Sequence, residues 1–451
     1  MSTVVTQNMK KELMLGTVRS INDTTENYYI GVSRSHPWNS ADSAPEAKDN
    51  VRIQNDFRNS LQAVHRITAA SLVVPRYSWK YETTYYAYND LNELADYGSN
   101  RWYVANNNNQ VYICLRQGTD TAGTAVPSTV MPTGENIHPF ETSDGYVWKF
   151  LYAISALDAT LFMTNDHMPV SRVLKLDSNS TGNEIKQHEI QQAARPGMIT
   201  GWEVLNGGSG YTNPSVNING TNYPNTVDFT LDSSGVIVKA EYAGDSSTLA
   251  YVHGLRGAQI TLSDSNGSNG EVRAIMSSGF GLGADATSDL MAGSMIIGVR
   301  VDGNTDDWLL NQDYRQIGIM RAIKDSQNGS EWTQLTGNAL RSLTLSTENV
   351  AFSTDEIIVG ATSGARAYVD QTDGMTIFFH QTDSTGYVDF VAGENLTELA
   401  GIGDGVVGTP LNNPEVDPFT GQVLYVNNRT PVTRVANQTE DIKIVIQLDE
   451  C

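Results

Sequence analysis

DGYVWKFLYAI, residues 144–154, opens on an Asp-Gly pair suited to a turn and continues as a run of aromatic and aliphatic residues. In an extended chain Tyr146, Trp148, Phe150 and Tyr152 share one face. Val147, Leu151 and Ile154 break strict alternation, which predicts a strand covered on both sides. Shorter runs of the same texture surround it: YYIGV at 28–32, RWYVA at 101–105 and QVYICL at 110–115, divided by Gly, Asn and Asp. Ile317 and Ile319 give a further short strand, and Ile442, Ile444 and Ile446 alternate in a closing one. No regular alternation of strands with ten-residue helices appears, so antiparallel sheets are expected rather than a parallel sheet with crossover helices.

One helix is expected over Ser43 to Val74, with Ser43 and Glu46 at capping-box spacing, Ile53, Phe57, Leu61 and Val64 at helical intervals and Pro75 as the stop. Two regions, 198–283 and 341–410, are dense in Gly, Ser, Thr and Asn and carry strand-length apolar runs between turn signals. The expected fold is therefore mainly β (α+β): an antiparallel β-sandwich-like core with one N-terminal amphipathic helix and two inserted small β modules. The core comprises 1–197, 284–340 and 411–451, and the modules 198–283 and 341–410 interrupt it.

The 451-residue chain is 39% hydrophobic and only 18% charged, so its polarity rests on Asn, Ser, Thr and Gly rather than on charge. Its 51 acidic and 29 basic residues leave a formal charge of −22, opposite to what phosphate neutralisation requires, so no nucleic-acid partner is expected. Cys114 and Cys451 form neither a disulfide framework nor a zinc-site spacing. The first residues lack the apolar core of a signal peptide and no stretch approaches membrane-spanning length. Synthesis and folding in a cytoplasm without membrane insertion are expected.

The histidines are dispersed and form no H-E-x-x-H pair, no G-x-x-x-x-G-K-[ST] occurs, and Ser209 in GGSGY fails the nucleophile elbow because Tyr211 replaces the second Gly. No catalytic residue and no cofactor are expected. Asp302, Asn304, Asp306 and Asp313 occupy positions 1, 3, 5 and 12 of a calcium loop, but Asp307 stands where the turn needs Gly, which leaves a solvated acidic loop as the other reading. Tyr77, Trp79, Tyr81, Tyr85, Tyr86 and Tyr88 would suit a stacking platform, and equally a half-buried sheet or a protein interface. Pro37 biases His36 towards an extended conformation and fixes the angle of Trp38, an interface anchor or a core residue. Loops NGGSGYT with Tyr211 and GATSGAR with Arg366 are candidates for partner contact, or mere peripheral filling.

Five separated strings together resemble one family. YYIGVSRSHPW (28–38), VVPRYSW (73–79), DGYVWKFLYAI (144–154), YRQIGIM (314–320) and GQVLYVNNRTPVTRVANQTEDIKIVI (421–446) are similar, in order and spacing, to the baseplate wedge subunit encoded by gene eight of T-even-type contractile-tailed phages. Val32, Ser33 and Thr430 depart from the pattern, and the two Gly-rich regions have no counterpart in the shorter family member. The resemblance implies a mainly β, non-catalytic homodimer in the virion tail baseplate, joined to wedge proteins resembling the products of genes six, seven and ten. The alternative is a tail-associated glycan-binding or glycan-cleaving protein, motivated by the Tyr-rich segment and the Gly-rich modules.

Overall fold

The computed structural model describes residues 6–23, 26–35, 44–92, 102–120, 123–223, 227–242, 259–301, 308, 313–435 and 437–448. The protein is mainly β, built from several antiparallel sheets and a few short helices. It divides into two compact units, one of Met1–Gly16, Ser71–Ile296 and Val445–Cys451, the other of Thr17–Ala70 and Ile297–Ile444.

The second unit holds a five-stranded antiparallel sheet in the order Thr336–Asn338, Leu61–Arg66, Tyr28–Ser33, Asp313–Arg321, Gln422–Thr433. Gly31 pairs with Gly318 across the two central strands, and the fully buried ring of Phe57 packs on both. A Cβ on Gly31 would lie 2.8 Å from Leu61 Cδ1 and 3.1 Å from Phe57 Cζ, and one on Gly318 would strike the same ring. The paired glycines thus let the Phe57 helix sit close on the sheet.

Phe57 belongs to a helix of nine residues, Val51–Asn59, whose N-cap is Asn50 accepting from the Ile53 amide at 3.0 Å. The helix expected over Ser43 to Val74 is therefore corrected: Leu61–Arg66 and Ala70–Pro75 are strands, and Ser43 lies outside the described residues. Leu61 and Val64 keep helical spacing with Phe57, but the backbone of 61–66 pairs with Tyr28–Ser33 on one side and Thr336–Asn338 on the other, and that pairing decides. Among the described residues the longest helix is Gln7–Asn22, with Met14, Val18 and Ile21 buried at helical intervals.

In the same unit, Arg341–Val350, Thr376–His380, Arg366–Asp373, Ile357–Gly360, Asn395–Glu398 and Asp404–Asn412 close into a six-stranded antiparallel barrel. Its interior is filled by its own residues, among them Leu343, Ile358, Val369, Ile377, Phe379 and Leu396. Register shifts cluster where the first and last strands meet, as the curvature of closure requires.

The first unit contains a sheet in the order Tyr103–Ala105, Gln110–Arg116, Val147–Ala153, Phe140–Glu141. All but the last residue of Val147–Ala153 is buried, in keeping with the two covered faces expected of it. Tyr146 stacks on Trp148 at 5.6 Å and Tyr85 meets Trp148 edge-on at 5.7 Å. Helix Gly182–Ala193, opened by the Thr181 and Glu184 capping box, contributes Ile190 to the same core. The Gly-rich region pairs Ile199–Ser209 with Ser268–Met276, Val227–Leu231 with Ile237–Tyr242, and Ser215–Ile218 with both Thr221–Tyr223 and Ile260–Ser263, around Ile199, Trp202, Val216, Ile218 and Val272.

Candidate functional site

The strongest concentration of chemistry in the second unit is a buried chain of charges that no sequence motif marks. Arg34, one residue beyond the Tyr28–Ser33 strand, is 3% exposed and ion-pairs with Asp313 at 3.0 Å and with Asp355, and its Nη1 lies 3.8 Å from Asp370 Oδ1. Arg315 holds the other oxygen of Asp313 at 2.7 Å and donates to the Ser35 carbonyl at 2.7 Å. Asp370, on the barrel strand Arg366–Asp373, is fully buried, and its Oδ2 meets His380 Nδ1 at 2.6 Å. His380 stacks on Tyr368 at 5.3 Å. Two arginines from the central sheet thus hold carboxylates from the sheet and the barrel, which makes this network a fastening of the barrel to the sheet.

This geometry bears on one residue of the calcium-loop reading. Asp302, Asn304 and Asp306 lie outside the described residues, while Asp313 begins a strand and spends both oxygens on guanidinium groups. A carboxylate already neutralised by two cations is a poor ligand for a third. Among the described residues, no group of three or more His, Cys, Asp or Glu side chains could hold a metal ion.

The interface candidates differ in their surroundings. Trp38 lies outside the described residues. Tyr77 is half-buried and edge-on to Tyr103 at 5.4 Å, and Trp79, also half-buried, donates from Nε1 to Ser128 Oγ at 3.2 Å while packing against the Trp148 core. Tyr211 is not displayed: it is buried at 6% exposure, accepts the Gly270 amide at 2.9 Å and packs its ring under Gly267 and Gly270. Arg366 is exposed on the barrel.

The first unit buries a second polar group of residues. Lys149, in the strand Val147–Ala153, donates to the Ile137 carbonyl at 2.8 Å, and burial pulls its pKa down to about 8 against the attraction of Asp289. Asp289 accepts from Ser278 Oγ and from the Gly283 amide, each at 2.7 Å. Burial nevertheless pushes its pKa up to about 7, those two hydrogen bonds only partly opposing the shift. Nearby, Asp285 is desolvated too, but hydrogen bonds from Thr287 and the charge of Lys11 outweigh that and hold it below the usual carboxylate range.

A raised Asp289 means that the folded protein holds a proton which the unfolded chain has lost, so its contribution to stability is present at low pH and disappears as pH rises towards 7. Asp289→Asn keeps the shape and removes the titration. The unfolding free energy of the wild type, measured by urea titration, is expected to fall relative to this variant between pH 5 and pH 8, by on the order of 2 kcal/mol. Parallel pH profiles for the two proteins would show that Asp289 does not titrate in this range.

The first unit also carries a cleft of about 420 Å³ lined by Arg116, Glu141, Trp202, Lys239 and Glu241. Arg116 binds Glu141 at 2.8 Å and Glu241 at 3.2 Å, and Lys239 binds Glu241 at 2.8 Å. Both carboxylates are therefore committed to the same guanidinium, whereas glycoside cleavage needs one protonated acid and one free base or nucleophile. Among the described residues no helix is long and apolar enough to cross a membrane. No protein-family model matches the chain, and no curated protein is significantly similar to it.

Proposed function

We propose that the protein is a structural subunit of a phage tail baseplate wedge, acting as a homodimer that joins other wedge proteins during tail assembly in the host cytoplasm. One observation carries the reading. Three of the five strings that resemble the gene-eight wedge family, far apart in sequence, are hydrogen-bonded neighbours: Tyr28–Ser33 lies beside Asp313–Arg321, which lies beside Gln422–Thr433. Residues of these strings, among them the family-like Arg34 and Arg315, have packing and pairing tasks. Gly31 and Gly318 make room for Phe57, and Arg34 and Arg315 converge on Asp313. Residues that build a sheet and anchor a barrel on it suit a protein whose work is to hold a shape.

With a formal charge of −22 on each chain, two copies repel at long range, so the dimer contact has an apolar, hydrogen-bonding centre and tolerates salt. Coexpression with the neighbouring tail genes is the test. The chain alone is expected to sediment as a dimer, and in the mixture to enter a wedge complex at fixed stoichiometry. A monomer that stays apart from every other tail protein would refute the reading.

A further inference from the structure

At one mouth of the barrel lies a cavity of about 250 Å³, enough for a single small ring. His380 lines it, 6% exposed, with Nδ1 committed to Asp370 at 2.6 Å. Because a carboxylate only accepts, the Nδ1 hydrogen points to Asp370, and among the described residues Nε2 has no protein partner. Nε2 is not sealed from solvent, so a ligand entering the cavity can meet it in place of water.

The other walls indicate what that would be. The Arg341 guanidinium lies over the Phe379 ring at 5.4 Å and is steadied by Gln381 Oε1 and, at 3.4 Å, by the exposed Asp389. It is a positioned cation whose acidic neighbour can swing away into solvent. Asn59 donates to the Tyr387 hydroxyl at 2.7 Å, which leaves its carbonyl oxygen free, and the exposed Asn413 offers a neutral amide. Phe419, 64% exposed, stands at the rim, where its backbone is fixed by a bond from its own amide to Asp417 at 2.9 Å.

We propose that this cavity binds the ring of an acidic sugar of the uronic acid class, free or as a unit of a polysaccharide. Arg341 pairs with the carboxylate, His380 Nε2 and the two asparagines meet ring hydroxyls, and Phe419 covers the C–H face. The site is independent of the wedge assignment, since a tail subunit and a free protein could both carry it.

Calorimetric titration of the full chain with glucuronic acid, glucose and acetate tests this. Glucuronic acid is expected to bind at least about tenfold more tightly than either glucose, which lacks the carboxylate, or acetate, which lacks the ring. Phe419→Ala alters an exposed side chain, so it preserves folding, and it is expected to weaken glucuronic acid several-fold. Arg341→Met is expected to abolish the preference over glucose, with thermal melts run on both variants. Equal affinity for acetate and glucuronic acid would reduce the site to a general anion pocket and overturn the proposal. Undetectable glucuronic acid binding, or binding unchanged in a folded Phe419→Ala, would overturn it as well.

Discussion

Replacing Arg34 with methionine is expected to lower the stability of the protein by about 3–5 kcal/mol, the usual cost of leaving a buried charge without its partner. Methionine matches much of the volume, so packing is largely kept and the charge is what changes. Asp355 is mostly exposed and can turn to water, and Asp313 keeps Arg315. Asp370 has neither escape: it is fully buried, and among the described residues only His380 remains within reach. The double variant Arg34→Met with Asp370→Asn is therefore expected to recover part of the loss, because both members of the buried pair are then neutral. Urea unfolding of the wild type, both single variants and the double variant measures the coupling. A loss below about 1 kcal/mol for Arg34→Met would mean that the network behaves like a surface ion pair and does not fasten the barrel to the sheet.

The second large effect is expected at Tyr211. Its ring fills the space under Gly267 and Gly270, where a Cβ on Gly270 would lie 2.8 Å from ring atom Cε2, and its hydroxyl accepts the Gly270 amide. Tyr211→Ala removes a buried aromatic side chain, at a cost of about 3–5 kcal/mol, whereas Tyr211→Phe loses only one hydrogen bond, about 1 kcal/mol. Gly267→Ala should be about as damaging as Tyr211→Ala, since the new methyl group collides with the ring. Hydrogen exchange would place the effect: amides of Ile199–Ser209 and Ser268–Met276 should lose protection, while those of the barrel keep theirs. Unchanged stability in Tyr211→Ala would return this residue to the surface role first considered for it.

Much of the strand content is legible in the sequence because its signals are local. YYIGV, QVYICL and YVWKFLYAI are runs of β-formers bounded by turn residues, and each forms a strand within a residue or two of the expected place. The 51–75 region shows where local signals stop deciding. Phe57, Leu61 and Val64 carry a helical period, yet only Phe57 is helical, since the segment from Leu61 onwards gains two sheet neighbours from distant parts of the chain. The Gln7–Asn22 helix was open to the same reading of periods, through Met14, Val18 and Ile21, but its charged and polar filling obscured them.

The polar sites were less accessible for a related reason. Arg34 and Asp355 lie 321 positions apart, and His380 and Arg341 acquire meaning only when the barrel closes and sets them around one cavity. The available signal was modest: a single charge in an otherwise apolar strand, as with Lys149 in YVWKFLY, marks a side chain that must find its partner inside the fold. Tyr211 illustrates the converse, since a Gly-rich loop looks like a surface offering until the glycines prove to be the space its ring occupies.

The wedge assignment is tested most directly by locating the gene product in purified phage particles by immunoelectron microscopy. Label confined to the baseplate, in symmetric positions around the tail tip, is the predicted result. Label on the fibre tips alone, or particles that carry none of this protein, would contradict it.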